Sequence, residues 1–251
     1  MIISHKYKYV FIQLDQTAST AIAQELCENY DGQKILWKHA RYCDFMKVAS
    51  PEEKEFFFFS GIRNPLDTIV SLYFKIKERP RFKDLSNPNT TKENFRQAIY
   101  LENNNADFSD FFQKFYACRI YNEWKTRDFE KLDYIYRFEN IQAEFSSILK
   151  HLNLIQIRPL PLINETPGRK KDYASYYDNE RVQRDARIAM GKFMKKWNYG
   201  FPSGWAELRI EDYARYLWLA SRHIVTALAY SAADDTGLYR KYIIRSDKMK
   251  K

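Results

Sequence analysis

Residues 7–22, YKYVFIQLDQTASTAI, hold the change of periodicity on which the fold turns. Positions 7–14 alternate and are rich in Tyr, Val, Phe and Ile, which predicts a strand. Small and hydroxyl residues then make a turn. Beyond it Ile22, Leu26 and Tyr30 share one stripe, with Ala23 and Cys27 beside it, so a helix is expected from Ser19 to Tyr30, ended by Asp31-Gly32. Strand, turn and helix in this order are the layout of an anion cradle. A helix start offers unpaired N–H groups and the positive end of a dipole, and an anion can sit there. Thr17, Ser19 and Thr20 add hydroxyl donors. The turn lacks GxxxxGK[ST], which disfavours an ordinary ATP loop. Helix capping by Thr17 or Ser19 is the competing reading of the same residues.

Outward from this unit, KILW at 34–37 reads as a short second strand and 41–49 as a short helix. The run FFFFSGI at 56–62 is apolar throughout, as in a central strand of a parallel sheet covered on both faces. Asn64-Pro65 starts a helix, with Asn64 as cap and a stripe of Ile69, Leu72, Tyr73 and Ile76. Residues 78–91 read as a loop and 92–102 and 108–126 as helices. A last strand is expected at 132–138, followed by a helix capped by Asn140, an irregular Pro-rich segment at 155–172, and helices near 179–197 and 210–231. The order predicts an α/β fold: one domain, residues 1–251, with a P-loop-like parallel sheet flanked by helices. Its core covers about 7–201, with a helical extension over about 204–251. Ligands of such sheets bind beyond the carboxyl ends of the strands. The 15–21 turn, Arg63-Asn64 and the loop after the second strand converge there.

Composition narrows the classes. Hydrophobic content is 45%, without an apolar run of the roughly 18–20 residues a membrane span needs. The first strand begins too near Met1 for a signal peptide to precede it. Cys27, Cys43 and Cys118 are scattered and odd in number, against a disulfide framework. A reducing, cytoplasmic setting is therefore expected. His5, His39, His151 and His223 lack metal-ligand spacing, so no metal is expected. The net charge of +9 suits an anionic ligand, or simply a solvated surface. No RNP, zinc or helix-turn-helix signature supports a nucleic-acid partner.

RNPLDTIVSLY, residues 63–73, follows the strand FFFFSGI and resembles the 3′-phosphate-binding motif RNPxDxxxSxY of sulfotransferases that use 3′-phosphoadenosine 5′-phosphosulfate (PAPS). VFIQLDQTASTAI resembles their 5′-phosphosulfate loop. DYIYRFENIQAEFSSIL resembles the family's late strand and its ENxQ-type helix start, and LPLINETPGRKKDYASYYDNERV the segment before the last core helix of the bacterial and carbohydrate-type branches, so the likeness spans roughly residues 7–201. It implies that Thr17, Ala18, Ser19, Thr20 and Ala21 hold the 5′-phosphosulfate, and that Arg63 and Ser71 hold the 3′-phosphate. Arg169, Lys170 and Lys171 would close over that phosphate or meet an acidic acceptor; a solvated basic loop is the alternative. LWKHARYCDFMK resembles the histidine segment of the 2-O-sulfotransferase-like branch, which implies His39 as general base. The reaction implied is sulfuryl transfer from PAPS to a hydroxyl acceptor, a small molecule or a glycan.

One departure bears on activity. The family's loop carries Pro-Lys where this chain has Asp15-Gln16. Loss of a charged donor aimed at the transition state costs on the order of 3 kcal/mol, about 10²-fold in rate. Either another cation such as Lys38 or Lys170 reaches in, or the enzyme is slow, or the chain binds nucleotide without catalysing. A nucleoside kinase is disfavoured by the same missing lysine.

Overall fold

A computed structural model describes residues 1–235 apart from 89, 122–125, 162–165, 167, 170 and 171. The fold is α/β, with an open five-stranded sheet flanked by helices. In chain order the strands are β1 (Ile2–Ser4), β2 (Tyr9–Phe11), β3 (Gln33–Lys34), β4 (Phe57–Ile62) and β5 (Tyr134–Arg137). They lie in the order β3-β1-β2-β4-β5. β2, β4 and β5 run parallel, with Phe11 opposite Phe59 and Gly61 opposite Tyr136. β1 is antiparallel to both β2 and β3.

The sheet is thus mixed, which corrects the expectation of a parallel one. The sequence IIS at 2–4 is too short to show a period, yet it folds back on β2 across residues 5–8, with Lys8 in a left-handed conformation (φ 52°). The strand expected at 34–37 shrinks to Gln33–Lys34, both exposed. Leu36 turns left-handed (φ 51°), and Ile35 and Trp37 pack on an apolar cluster. The hydrophobicity of KILW reports that packing, not strand pairing. Asn140 does precede α6 (Ile141–His151), but its side chain makes no capping bond. The helix expected at 108–126 ends at Phe115 as α5 (Phe108–Phe115).

The chain forms two compact units, residues 1–64 with 123–165, and residues 65–122 with 166–251. The first holds the sheet, α1 (Ser19–Asn29), α2 (Tyr42–Met46) and α6. Alternation along the strands sends Tyr9, Phe11, Phe59 and Tyr136 to one face, with Ile22 and Leu26 of α1 and Phe145 and Ile148 of α6. Val10, Ile12 and Phe58 go to the other, with Phe45 of α2.

The second unit is helical: α3 (Pro65–Glu78), α4 (Lys92–Asn103), α5, α7 (Glu180–Lys196) and α8 (Ile210–Asp235). Phe108, Phe111, Phe112 and Phe115 of α5 are buried with Tyr73 of α3, with Met190 of α7 and with Tyr177, which precedes α7. Side-chain caps start three of these helices: Thr91 accepts from the Asn94 N–H, Asp107 from Asp110 and Asn179 from Val182.

Candidate functional site

The β2–α1 turn is built from unusual backbone. Gln16 (φ 66°) and Ala18 (φ 57°) are both left-handed, a conformation that non-glycine residues adopt at a cost of about 1–3 kcal/mol each. Ala18 is the N-cap of α1 and has no side-chain acceptor to offer the first turn. The Thr17 hydroxyl points back instead, donating to the Leu14 carbonyl at 2.9 Å. Hydroxyl capping by Thr17 is therefore not what starts this helix. Ser19 is buried, and Thr20 alone of the three hydroxyl residues is exposed.

The sheet fixes the turn from below. The Tyr136 hydroxyl, from β5, donates to the Thr17 carbonyl at 2.9 Å and lies 3.3 Å from Thr17 Oγ1. Burial pushes that phenol's pKa far up, so it remains a donor. Gly61 makes room: a Cβ there would overlap the Tyr136 ring. Ser60 Oγ donates to the Ile12 carbonyl at 2.7 Å, and Gln13 Nε2 donates to the Ser19 carbonyl at 3.3 Å. Tyr136, Gly61 and Gln13 escaped the sequence reading. Small residues near the end of an otherwise bulky strand were the one available signal for Gly61.

Two cations meet the turn. Arg63, at the end of β4 and only 8% exposed, donates from Nη1 to the Gln16 carbonyl at 3.0 Å. Its guanidinium lies 3.9 Å from the centre of the Phe138 ring. Lys38, after β3, places Nζ 3.0 Å from Thr20 Oγ1 in the first turn of α1. It stands at the helix start where the turn itself has no lysine.

His39 follows Lys38. Its Nδ1 lies 2.9 Å from the Gln13 carbonyl, which can only accept, so Nδ1 carries the proton and Nε2 of the neutral ring is an acceptor. Asp15 Oδ1 lies 3.4 Å from the same Nδ1. The carboxylate that would repel an anion thus faces an imidazole. His5 pairs with Glu53 at 3.0 Å, and His151 Nδ1 lies 2.8 Å from the Ser147 carbonyl of its own helix.

In the second unit, Ser71 on α3 is buried and accepts from Arg169 Nη1 at 2.7 Å. Arg169 also pairs with Asp67, while its Nε is buried without a hydrogen-bond partner among the described residues. Ser71 is thus a buried, hydrogen-bonded position on α3. Lys170 and Lys171 lie outside the described residues.

The first unit thus brings together Gln16, Thr17, Ala18, Ser19, Thr20, Ala21, Lys38, His39 and Arg63, and the second joins Ser71 to Arg169. Such an arrangement can hold an anion and accept a proton beside it. No group of three or more His, Cys, Asp or Glu side chains among the described residues could hold a metal ion, and no described helix is long and apolar enough to cross a membrane. No family model, curated protein or solved structure matches the chain.

Proposed function

We propose that this chain moves a sulfuryl group from PAPS to a hydroxyl acceptor, a small molecule or a glycan. The observation that carries the reading is the strained β2–α1 turn, left-handed at Gln16 and Ala18, with Arg63 bonded to its carbonyl and Lys38 at the helix start beside it. Successive N–H groups in such a turn form an anion-binding concavity. The 5′-phosphosulfate rests on residues 17–21, and Arg63 offers its planar fork to the donor's other phosphate.

Transfer is in line. As the acceptor oxygen attacks sulfur, its proton passes to His39 Nε2. The bond from sulfur to the bridging 5′-phosphate oxygen breaks, and adenosine 3′,5′-bisphosphate leaves. Lys38 supplies the positive charge that Gln16 lacks, and Gln16 donates a neutral hydrogen bond. Transition-state charge is the larger contribution in chemistry of this type.

Thermal shift with adenosine 3′,5′-bisphosphate, AMP and ATP tests the binding step. Stabilisation by the 3′-phosphorylated nucleotide alone is expected, and Arg63→Ala should weaken it about 10- to 100-fold, the loss of a charge-assisted hydrogen bond. An equal response to AMP removes the 3′-phosphate assignment. Sulfate transfer from labelled PAPS to sugars, phenols and alcohols tests the chemistry, and turnover unchanged in His39→Ala would overturn the base.

A second reading, a nucleotide-binding protein that no longer catalyses, is favoured by the uncharged Gln16. Turnover that appears only in Gln16→Lys would select it; turnover in the parent that is lost in Lys38→Ala would exclude it.

A further inference from the structure

α8 uses one face for its own unit and leaves another bare. Leu219 is buried against Ile120 and Ile188, with Tyr216 beside them. On that side Arg215 pairs with Asp185 and donates to the Ala117 carbonyl at 2.9 Å, and Asp212 lies 3.6 Å from Arg184. The opposite side carries Ile210, Tyr213, Leu217, Trp218, Ile224 and Val225, from 56% to 89% exposed. At 100° per residue these six fall within roughly 140° of the helix circumference and along about 24 Å of its length. An apolar stripe of this size, with the exposed Ser221 within it, marks an interaction surface, whereas single exposed apolar residues need no explanation.

We propose that this stripe pairs antiparallel with the same stripe of a second copy, with Leu217 on the two-fold axis. The placement of charge selects this occupant. Glu211 and Arg222 lie on one edge of the stripe, six residues to one side of Leu217 and five to the other. A dyad at Leu217 sets Ile210 against Ile224 of the second copy and brings Glu211 next to Arg222 of that copy, twice over. An isologous interface has this self-complementarity. Glu211 is 73% exposed, and Arg222 lies over the Trp218 ring at 4.7 Å, on the same edge. Two aromatic side chains of about 150–250 Å² each, with four aliphatic ones, supply area on the order of the 800 Å² per partner of a standard interface. The pairing is independent of the proposed transfer reaction.

Light scattering of the full chain tests it. A mass near twice 30.2 kDa is expected, and Leu217→Glu, which sets two carboxylates face to face, should raise the dissociation constant at least about tenfold. Glu211→Arg or Arg222→Glu alone should raise it a few-fold, and the two together should restore it. Crosslinking reads the geometry. In a Cys118→Ser background, Leu217→Cys should form a disulfide dimer with itself. Ile210→Cys and Ile224→Cys should each fail alone, because their copies stand about 21 Å apart, yet should crosslink when mixed. A circular-dichroism melt unchanged in Leu217→Glu shows that the fold survives. Self-crosslinking at all three positions, a monomer at every concentration, or a monomer that binds anionic phospholipid vesicles through α8 would each overturn the proposal.

Discussion

At the scale of the residue, two small residues bear on the shape of the β2–α1 turn. Gly61 sits opposite Tyr136 in the β4–β5 register and under its ring. Gly61→Ala should cost about 1–3 kcal/mol as the ring is displaced, and should loosen nucleotide binding because the Tyr136 hydroxyl holds the Thr17 carbonyl. Urea unfolding together with thermal shift reads both effects; binding lost at unchanged stability would place the effect elsewhere. Ala18 presents the reverse case. At φ 57° its Cβ is a liability, and Ala18→Gly should raise stability by about 0.5–1 kcal/mol in the same urea experiment. The positions of Arg63 and His39 after strands and of Ser71 on a helix were legible because their spacing to strand ends is local in sequence. Tyr136 was not, since its partner lies 119 residues away and a tyrosine in a strand is otherwise ordinary.

At the scale of the element, apolar length and periodicity carried most of the information. β4 was readable as a central strand because FFFFSGI is apolar throughout, and it is paired on both sides. β1, at three residues, was not, and the tight return at 5–8 sets its antiparallel pairing with β2; β3 was read at 34–37, three residues past its end, and shrinks to Gln33–Lys34. The seam between α7 and α8 makes a pH-dependent prediction. Asp185 is 3% exposed, and burial raises its carboxyl pKa even though Arg215 pulls it down. A carboxyl raised above its unfolded value of about 3.9 favours the fold when protonated. That stabilisation is full below about pH 4 and is lost as pH rises through the folded value. Asp185→Asn should therefore gain stability relative to the parent between pH 4 and pH 7 in denaturant titrations. A constant difference across that range would show that Asp185 does not titrate in this way.

At the scale of the whole molecule, each unit has its own core. In the helical unit that core is largely aromatic: Phe112 is fully buried and packs against Phe108, Tyr116 and Tyr177. Phe112→Ala should remove about 3–5 kcal/mol, read as a lowered urea midpoint; a loss below about 1 kcal/mol would mean the site collapses around the gap. The β2–α1 turn, although encoded within the first twenty-odd residues, is completed by a tyrosine from the fifth strand. A ribosome-tethered chain that ends short of that strand should fail to retain adenosine 3′,5′-bisphosphate, and one long enough to expose it should succeed. Nucleotide capture would then report when synthesis has delivered the far end of the sheet.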